Sequence, residues 1–469
     1  MKKIFFKTFL IFLTICIAAT AFCGCGDNGK TTSSDKSKDN NVKSDKSLLT
    51  AAKFQIDEDM NFGGKELVIG VWDSMPERGT NTIYDRRYEL ADRVMEKYGI
   101  TIKWQPIVAS NFERTVALAQ TSGQKYADLF FAPHYNAYSA CKVGAAIPLD
   151  EYIDYSSEFY DNCGDLSRYL DGKHYSYMPD FYNVNDMGLF VLCNQAIIDA
   201  AGCEDPAELY AEGKWTWSAF EEIVKKTTKK TGGKVTQYGI GNSNLIEGIM
   251  MSNGVTTIAS NYKTHKYESG FFTDAGYNAL NFVKKLVADY GNNDNCYGTL
   301  TSSTIFSQSK MAMLIAPNYS AVSSVENGMP VVAVPLPTGT DVESGKQILG
   351  KEIQEWWLVS SISDFTPEQL VQIALDLNDD IPEYEETYIE DEQQFFIDLL
   401  YEQCIVTTEE EAELFYDLIN AENTITLVDS SITDMNSIKV SIFNDLAAGN
   451  DARTVIDKYK PNIESILNK

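Results

Sequence analysis

Strand-like and helix-like segments alternate between Glu66 and Pro133, and this alternation restricts the fold more than any other feature of the chain. The apolar run ELVIGVW (Glu66–Trp72) is typical of a buried parallel strand. The runs ITIKWQPI, which begins at Ile100, and ADLFFAP, which ends at Pro133, are strand-like too. A segment with helical periodicity follows each of the first two runs. Strands that alternate with helices in this way predict an α/β domain with a mainly parallel sheet.

The two helical segments carry their own start and stop signals. An apolar face from Tyr88 to Tyr98 ends at Gly99. The next helix opens with Ser110 and Glu113 at capping-box spacing and closes at Gly123. These signals predict one helix between each pair of strands.

Elements of the same kinds continue to the end of the chain. LFVLCNQ predicts a strand, Ser218 and Glu221 predict the start of a helix, and IFSQSKMAMLI predicts a further helix. Thr366 and Gln369 predict another capped helix. The last helix is expected to be kinked or broken at Pro461.

The first 24 residues have the pattern of an export signal. Three lysines give a positive start, Phe9–Ala19 is apolar but too short to span a bilayer, and the small residue Gly24 precedes Cys25. A plain signal needs no cysteine after the cleavage site, whereas a bacterial lipoprotein signal does. We therefore interpret residues 1–24 as a lipoprotein signal peptide and Cys25 as the lipidated residue. The alternative is an ordinary cleaved signal with incidental cysteines.

The segment after Cys25 is predicted to be a flexible tether, over residues 25–53. The stretch GDNGKTTSSDKSKDNNVKSDKS has no aromatic residue and almost nothing apolar, so it cannot bury enough surface to offset the entropy of ordering. The remainder, from about Phe54 to Lys469, is too long for one typical core and suits two domains.

The charge of the chain disfavours several classes of partner. The sequence has 39 Lys and Arg against 67 Asp and Glu, a net charge of −28, so nucleic acid is not an expected ligand. The acidic stretch between Lys351 and Lys439 lacks the ligand spacing of a calcium loop, and we interpret it as a solvated face. The three histidines lie far apart and make no metal signature, and no cofactor is expected.

The cysteines of the body are expected to be mostly free and buried. A large body does not need disulfides to be stable, and no C-x-x-C motif occurs. An even number outside the cell would nonetheless permit pairing. The six residues are Cys141, Cys163, Cys193, Cys203, Cys296 and Cys404.

Seven phrases that occur in a fixed order carry a resemblance to a known family. They are ELADRVMEKYGITIKWQPI, YADLFFAPHYNAYSACKVGAAIPLDEYI, DGKHYSYMPDFYNV, LFVLCNQAIIDAAGCEDP, WTWSAFEEI, SKMAMLIAPNYS and MPVVAVPLPTG. Their order and spacing resemble extracellular solute-binding proteins of the maltose-binding, carbohydrate-uptake type, which are the receptors of ABC importers.

This resemblance implies two α/β lobes, each with a mainly parallel sheet flanked by helices, joined by crossing strands at a hinge. The N-terminal lobe would comprise residues 54–180 and about 346–405, and the C-terminal lobe residues 181–345 and about 406–469. The implied function is the capture of a carbohydrate, an oligosaccharide, between the lobes and its delivery to the membrane subunits of the importer. We expect a monomer outside the cell whose only membrane contact is the lipid anchor. A surface lectin or a sensor partner on the same fold is the alternative.

The candidate ligand-binding residues follow from the cleft that this fold implies. Ligands of parallel α/β sheets lie beyond the carboxyl ends of the strands. Aromatic rings there can cover the apolar faces of a sugar, and carboxylates and amides can bond its hydroxyls. Trp215 and Trp217 are interpreted as structural residues that dock a helix. The candidates are Trp72, Asp73, His134, Tyr135, Asn136, Asp180, Tyr182, Asn242, Asn318, Tyr319, Glu355 and Trp356.

One enzyme pattern is present by letters alone. Ser122 with Lys125, then Tyr160-Asp161-Asn162, then a motif that begins at Lys230 follow the order of penicillin-recognising enzymes. That chemistry needs the serine at the head of a buried helix, whereas Ser122 falls at a predicted helix end beside Gly123. Lys230 falls in a polar helix exit and not in a strand. We therefore expect no enzyme activity.

The lipoprotein interpretation predicts a diacylglyceryl group on Cys25. Mass spectrometry of the mature N-terminus should detect it, and a Cys25→Ala variant should be released from the membrane. Cys23→Ala is the matched control and should leave the protein anchored. A Cys25→Ala protein that stays in the membrane fraction would exclude this anchor.

Overall fold

The computed structural model describes residues 47–468 except for short internal stretches and one long one. The stretches left out are 73, 80–81, 109–110, 158–159, 161–170, 178–187, 262–263, 265, 291–298, 318–319, 321–323, 326, 344–348, 353–354, 380–423 and 428–432.

The described chain contains thirteen strands and twelve α-helices. The strands are β1 (Lys65–Trp72), β2 (Ile100–Ile107), β3 (Leu129–Pro133), β4 (Leu189–Asn194), β5 (Lys229–Thr231), β6 (Lys234–Ile240), β7 (Ala259–Asn261), β8 (Lys266–Glu268), β9 (Met311–Pro317), β10 (Val331–Val334), β11 (Leu349–Glu352), β12 (Glu355–Val359) and β13 (Thr424–Leu427). The helices are α1 (Thr82–Tyr98), α2 (Phe112–Ser122), α3 (His134–Lys142), α4 (Gln195–Ala200), α5 (Pro206–Ala211), α6 (Trp217–Thr227), α7 (Leu245–Ser252), α8 (Asp274–Lys284), α9 (Thr299–Ser307), α10 (Pro367–Leu377), α11 (Thr433–Ala447) and α12 (Ala452–Leu467).

The first sheet has the order β12-β3-β1-β2. Strand β1 pairs in parallel with β2 and β3, and β12 closes the sheet as an antiparallel neighbour of β3. The strands and helices predicted between Glu66 and Pro133 are therefore confirmed. Antiparallel β12 comes from far along the chain, and no local pattern indicated its partner.

Helices cover both faces of this sheet. On one face, Phe131 and Trp357 pack in a core with residues of α1 and α10. On the other face, Phe130 and Trp356 pack in a second core with residues of α2 and α3. Successive residues of β3 and β12 thus alternate between two buried faces, which explains why β3 is apolar throughout and β12 is apolar after Glu355.

The second sheet is mixed, which differs from the mainly parallel sheet that was expected for this half of the chain. Its main order is β13-β11-β4-β9-β6-β5, and β10 pairs with β4. Pairs β6–β9 and β11–β13 are parallel, but β4 is antiparallel to β9, β10 and β11. A continuous apolar run such as that of β4 indicates burial on both faces and leaves strand direction open.

The prediction of a single helix for the segment IFSQSKMAMLI is wrong. Helix α9 ends at Ser307, Ser309 adopts a left-handed backbone with φ of 55°, and Met311–Pro317 forms the fully buried strand β9. A short apolar run fits a buried helix and a buried strand equally well, so the sequence pattern could not distinguish them.

Helix termini follow the predictions only in part. Gly99 and Gly123 adopt the left-handed conformation beyond α1 and α2, and Thr366 forms the predicted capping box with Gln369. Ser218 is not a cap, because the N-cap of its helix is Thr216. Helix α12 is not broken and continues through Pro461. The predicted cap of α2 at Ser110 is wrong too, because the N-cap of that helix is Asn111.

The folded body begins earlier than Phe54. Leu48–Ala51 forms a short 3₁₀ helix whose Leu48 and Ala51 are buried in the first core. Its N-cap Ser47 donates a hydrogen bond to the Asp379 carboxylate, and the Leu48 amide donates to the same group at 2.8 Å. Residues 47–53 therefore belong to the body and not to the tether, because their apolar side chains find a core.

The chain passes from the second sheet to the first between β11 and β12. Strand β11 pairs with β4 and β13, and β12 pairs with β3. The transition thus falls a few residues beyond the boundary at about 346 that the sequence predicted. The crossing at residues 178–187 lies outside the described part, and so do residues 405 and 406.

The tryptophans in the core of the second sheet and the described thiols have the structural roles that were predicted. Trp215 and Trp217 donate indole hydrogen bonds to the Pro335 carbonyl at 2.7 Å and the Ser252 hydroxyl at 2.8 Å. Cys141, Cys193 and Cys203 are free, and the first two are buried, which raises the pKa of both thiols. Cys163, Cys296 and Cys404 lie outside the described residues. None of the described helices is long and apolar enough to cross a membrane.

An almost completely buried ion pair joins two helices in the core of the second sheet that are far apart in the sequence. The Lys439 ammonium on α11 lies 2.5 Å from the Glu247 carboxylate on α7, and each side chain is only 5% exposed. Removing one partner of such a pair leaves an uncompensated charge in the interior.

Glu247→Gln and Lys439→Met should each lower the free energy of unfolding by about 3–5 kcal/mol, because each removes one charge of a buried ion pair and keeps the other charge in the interior. The double variant Glu247→Leu with Lys439→Met should recover most of this loss. Urea denaturation followed by circular dichroism measures all three. Additive losses in the double variant would show that the two charges are not energetically coupled.

Candidate functional site

Three chain segments meet at the carboxyl edge of the first sheet. Parallel β1 and β3 end there at Trp72 and Pro133. Antiparallel β12 begins at the same edge, because Glu355 pairs with Pro133. Two of the predicted site residues, Trp72 and Glu355, are thus brought to one edge although they lie far apart in the sequence.

Helix α3 starts directly at this edge. His134, Tyr135 and Asn136 occupy its first turn, immediately after β3. The first amides of a helix have no intrahelical acceptor and carry a partial positive charge, so they can bond an incoming oxygen. The structure describes the backbone of His134 and Tyr135, whereas their side chains, and that of Glu355, lie outside the described part.

Among the predicted site residues, Asn136 has a buried side-chain amide that can donate further hydrogen bonds. Its side chain is only 4% exposed, and its amide nitrogen has no hydrogen-bond partner among the residues that the structure describes. A buried amide donor without an acceptor costs free energy. An acceptor that arrived at the start of α3 would remove this cost.

Trp72 is half-buried at the end of β1 and packs against the first core. One part of the ring is therefore fixed by the core while the rest stays exposed at the sheet edge. A fixed, partly exposed aromatic ring is suited to stacking against an apolar ligand surface.

Trp356, which the sequence predicts as a ligand-binding residue, is buried in the second core. Its side chain is 2% exposed and packs below α3, with its ring centroid 5.4 Å from that of Tyr138. The strand alternation of β12 turns Trp356 into the sheet face and away from the edge.

Asn242 is likewise an interior residue. It follows β6 and is 0% exposed, so it has no surface to offer a ligand in this conformation. The preceding Gly241 amide donates to the Met313 carbonyl at 2.9 Å, which draws this segment against β9. The remaining candidates, Asp73, Asp180, Tyr182, Asn318 and Tyr319, lie outside the described residues, and Cys25 does too.

Arg87 is a residue near this edge that sequence reasoning missed. Its guanidinium carbon lies 4.2 Å from the centroid of the Phe131 ring and 5.4 Å from that of Trp357. The sequence offered one signal that could have found it. Arg87 shares a helical spacing with Ala91, Val94 and Tyr98, all of which are buried.

The enzyme pattern is not assembled. The Ser122 hydroxyl donates to carbonyls of its own helix, and Lys125 forms ion pairs with Asp128 at 3.3 Å and Asp364 at 2.7 Å. Burial lowers the pKa of Lys125, but the two carboxylates outweigh it and hold the pKa above its ordinary value, so the amine is not a base. Lys230 lies on the exposed strand β5 of the second sheet, and not at a helix exit as predicted.

No group of histidine, cysteine and carboxylate side chains within the described ranges could hold a metal ion. His174 bonds Asp150 at 2.8 Å and stacks on Tyr155 with a centroid distance of 3.9 Å. These contacts give the ring a structural role.

A family model described as a bacterial extracellular solute-binding protein matches residues 89–370, which is more than half of the chain. The chain belongs to this family. The resemblance stated from the sequence is therefore confirmed, and no curated protein matches this solute-binding protein by sequence.

Solved structures of solute-binding proteins share the fold at low sequence identity. A cyclo/maltodextrin-binding protein complexed with maltotetraose is 16% identical, with a TM-score of 0.58 over 86% of this chain and 98% of the other. A Listeria monocytogenes ABC substrate-binding protein in complex with cycloalternan is also 16% identical, with a TM-score of 0.58 and coverages of 86% and 99%. UgpB from Mycobacterium tuberculosis in complex with glycerophosphocholine is 15% identical, with a TM-score of 0.54 and coverages of 87% and 99%.

Trp356→Ala should destabilise the solute-binding protein by about 3–5 kcal/mol, because it leaves a large cavity below α3. Trp72→Ala should cost much less, since its ring is only half-buried. Thermal and urea unfolding of the two variants test this ranking. Equal stability of both would mean that Trp356 is not part of the core.

Proposed function

We propose that this extracellular solute-binding protein captures a carbohydrate, an oligosaccharide, in a cleft between two lobes and delivers it to an ABC importer. The observation that carries the proposal is the convergence of Trp72, the start of α3 and Glu355 at the carboxyl edge of the first sheet. This edge is where α/β sheets bind their ligands.

The chemistry of this edge suits a sugar. A sugar ring has apolar C–H faces, which the half-buried ring of Trp72 can cover. Its hydroxyls can accept hydrogen bonds from the first amides of α3 and from the buried amide of Asn136. The edge thus combines an apolar surface with hydrogen-bond donors that can bind a ligand oxygen. A purely hydrophobic pocket would offer the apolar surface alone.

The structural neighbours support a small polar solute. Their bound ligands include maltotetraose and cycloalternan, and one neighbour holds glycerophosphocholine. Among these ligands, the aromatic ring of Trp72 at the sheet edge favours an oligosaccharide.

The wider setting belongs to the same proposal. Cys25 anchors the protein by lipid to the outer face of the cell membrane, and the two sheets are the centres of two lobes that close around the ligand. The protein acts as a monomer, hands its ligand to the membrane subunits of the importer and catalyses no reaction. A solute-binding role needs binding and release only.

A glycan array followed by calorimetry should identify a bound oligosaccharide. Trp72→Ala should then weaken binding by roughly 1–3 kcal/mol, because it removes a stacking surface. Trp104→Ala is the matched control, since Trp104 is half-buried on the neighbouring strand β2 but packs on Tyr88 with a centroid distance of 6.0 Å. It should bind as the wild type does.

The cognate sugar should also reduce the radius of gyration in small-angle X-ray scattering, because closure around a ligand is typical of hinged receptors. If peptides or polyamines bind and no glycan does, the substrate class is wrong. Uptake of the labelled sugar in cells that lack the protein, compared with wild-type cells, would separate import from a lectin role.

A further inference from the structure

Arg87 occupies a position of α1 where a helix of this kind normally carries an apolar residue. It precedes Ala91, Val94 and Tyr98 by four, seven and eleven residues, and those three are at most 1% exposed. Residues at this spacing lie on one face of a helix, and here that face packs on the first sheet. Arg87 therefore puts a permanent positive charge on the face of α1 that packs against the first sheet.

The guanidinium lies on an aromatic surface. Its central carbon is 4.2 Å from the ring centroid of Phe131, 5.4 Å from that of Trp357 and 5.2 Å from that of Tyr84. The ring faces stabilise the charge, but they leave the five N–H donors of the group without acceptors.

Within the described part of the chain, these donors form no hydrogen bond, although the buried Tyr177 hydroxyl lies in the same cluster of rings, 5.9 Å between ring centroids from Trp357. No carboxylate in that part lies within ion-pair distance of Arg87. Nearby arginines differ, because Arg78 pairs with Asp92 at 2.7 Å and Arg93 approaches Asp376 at 3.8 Å. Half-buried cations normally have a partner, so this one is ready for an acceptor from outside.

A second donor beside Arg87 is also unmet. Trp357 is 1% exposed, and its indole N–H has no hydrogen-bond partner in the described ranges of the chain. This N–H belongs to one of the rings on which the guanidinium lies. Two adjacent groups that can only donate, one of them charged, match an anionic oxygen better than a neutral hydroxyl.

The position is close to the proposed ligand site. Phe131 precedes Pro133, the edge residue of β3, by two positions, which is about 6–7 Å along a strand. Trp357 lies at the same depth, because it pairs with Phe131 while Glu355 pairs with Pro133. A substituent of a sugar at the edge could reach this depth.

We propose that Arg87 recognises an anionic group of the ligand, so that the protein takes a saccharide that bears a carboxylate or a phosphoryl group. This inference rests on the proposed carbohydrate function and names the class of carbohydrate. The planar fork of Arg87 bonds two oxygens of the anion, and the surrounding rings limit competing water.

The test uses the full chain and a panel of neutral, carboxylated and phosphorylated oligosaccharides. The tightest hits should be acidic. In calorimetry, Arg87→Gln should weaken the best acidic ligand roughly 10- to 100-fold, the scale of a lost charge-assisted hydrogen bond. Arg87→Lys keeps the positive charge but lacks the planar guanidinium, so it should weaken binding of this ligand less than Arg87→Gln does.

Arg114→Gln is the matched control. It makes the same change of charge on an exposed residue of α2, on the other face of the first sheet, and it should bind as the wild type does.

A second measurement avoids the variant and any effect it has on folding. The same saccharide with its carboxylate methylated, or with its phosphate removed, should bind the wild type about as weakly as the charged form binds Arg87→Gln. Arg87→Gln should not weaken the neutral form further.

The outcomes separate the two proposals. If saccharides bind without regard to charge, or if Arg87→Gln binds the acidic ligand as the wild type does, the inference about Arg87 is wrong and the carbohydrate function stands. If no saccharide of either kind binds, the carbohydrate function itself is wrong.

Discussion

The buried carboxylate of Asp128 holds together the sheet on which the rest of the site depends. It is 0% exposed, accepts the Val68 amide at 2.8 Å and the Ser363 hydroxyl at 2.6 Å, and pairs with Lys125 at 3.3 Å. These partners come from β1, from the segment after β12 and from the approach to β3. A buried charge is tolerated only when its bonds are met in this way, so the three segments are fixed together.

This attachment determines where the edge proposed to bind the ligand lies. Once the segment after β12 is fixed beside β1, β12 must pair antiparallel to β3 and begin at the edge where β1 and β3 end. The edge thereby gains Glu355 from a distant part of the chain. The site is therefore a consequence of tertiary contacts that join remote segments, and the local elements supply only its parts.

The sequence predicted elements whose signals are local and failed where the outcome depends on neighbours. Gly99, whose φ is 57°, and the Thr366 capping box were predictable because a few adjacent residues decide them. The sequence predicts a helix where β9 lies, because a run that is apolar on every face has no period that distinguishes the two structures. It predicts Trp356 at the ligand, because no pattern indicates which residue of a strand that is buried on both faces reaches the edge.

Arg87 shows how a local contact can oppose the overall charge of a protein. The net charge of −28 suggests that anions are repelled. Exposed charges, however, are screened beyond about 8 Å at physiological ionic strength, whereas a half-buried guanidinium acts at contact distance in a less polar environment. The acidic surface therefore discourages polyanions in general, while one cation fixed on Phe131 and Trp357 can still select a single negative group that is presented with the correct geometry. In the proposed role of Arg87, the net charge disfavours anions in general, and the position of one side chain determines which anionic ligand is accepted.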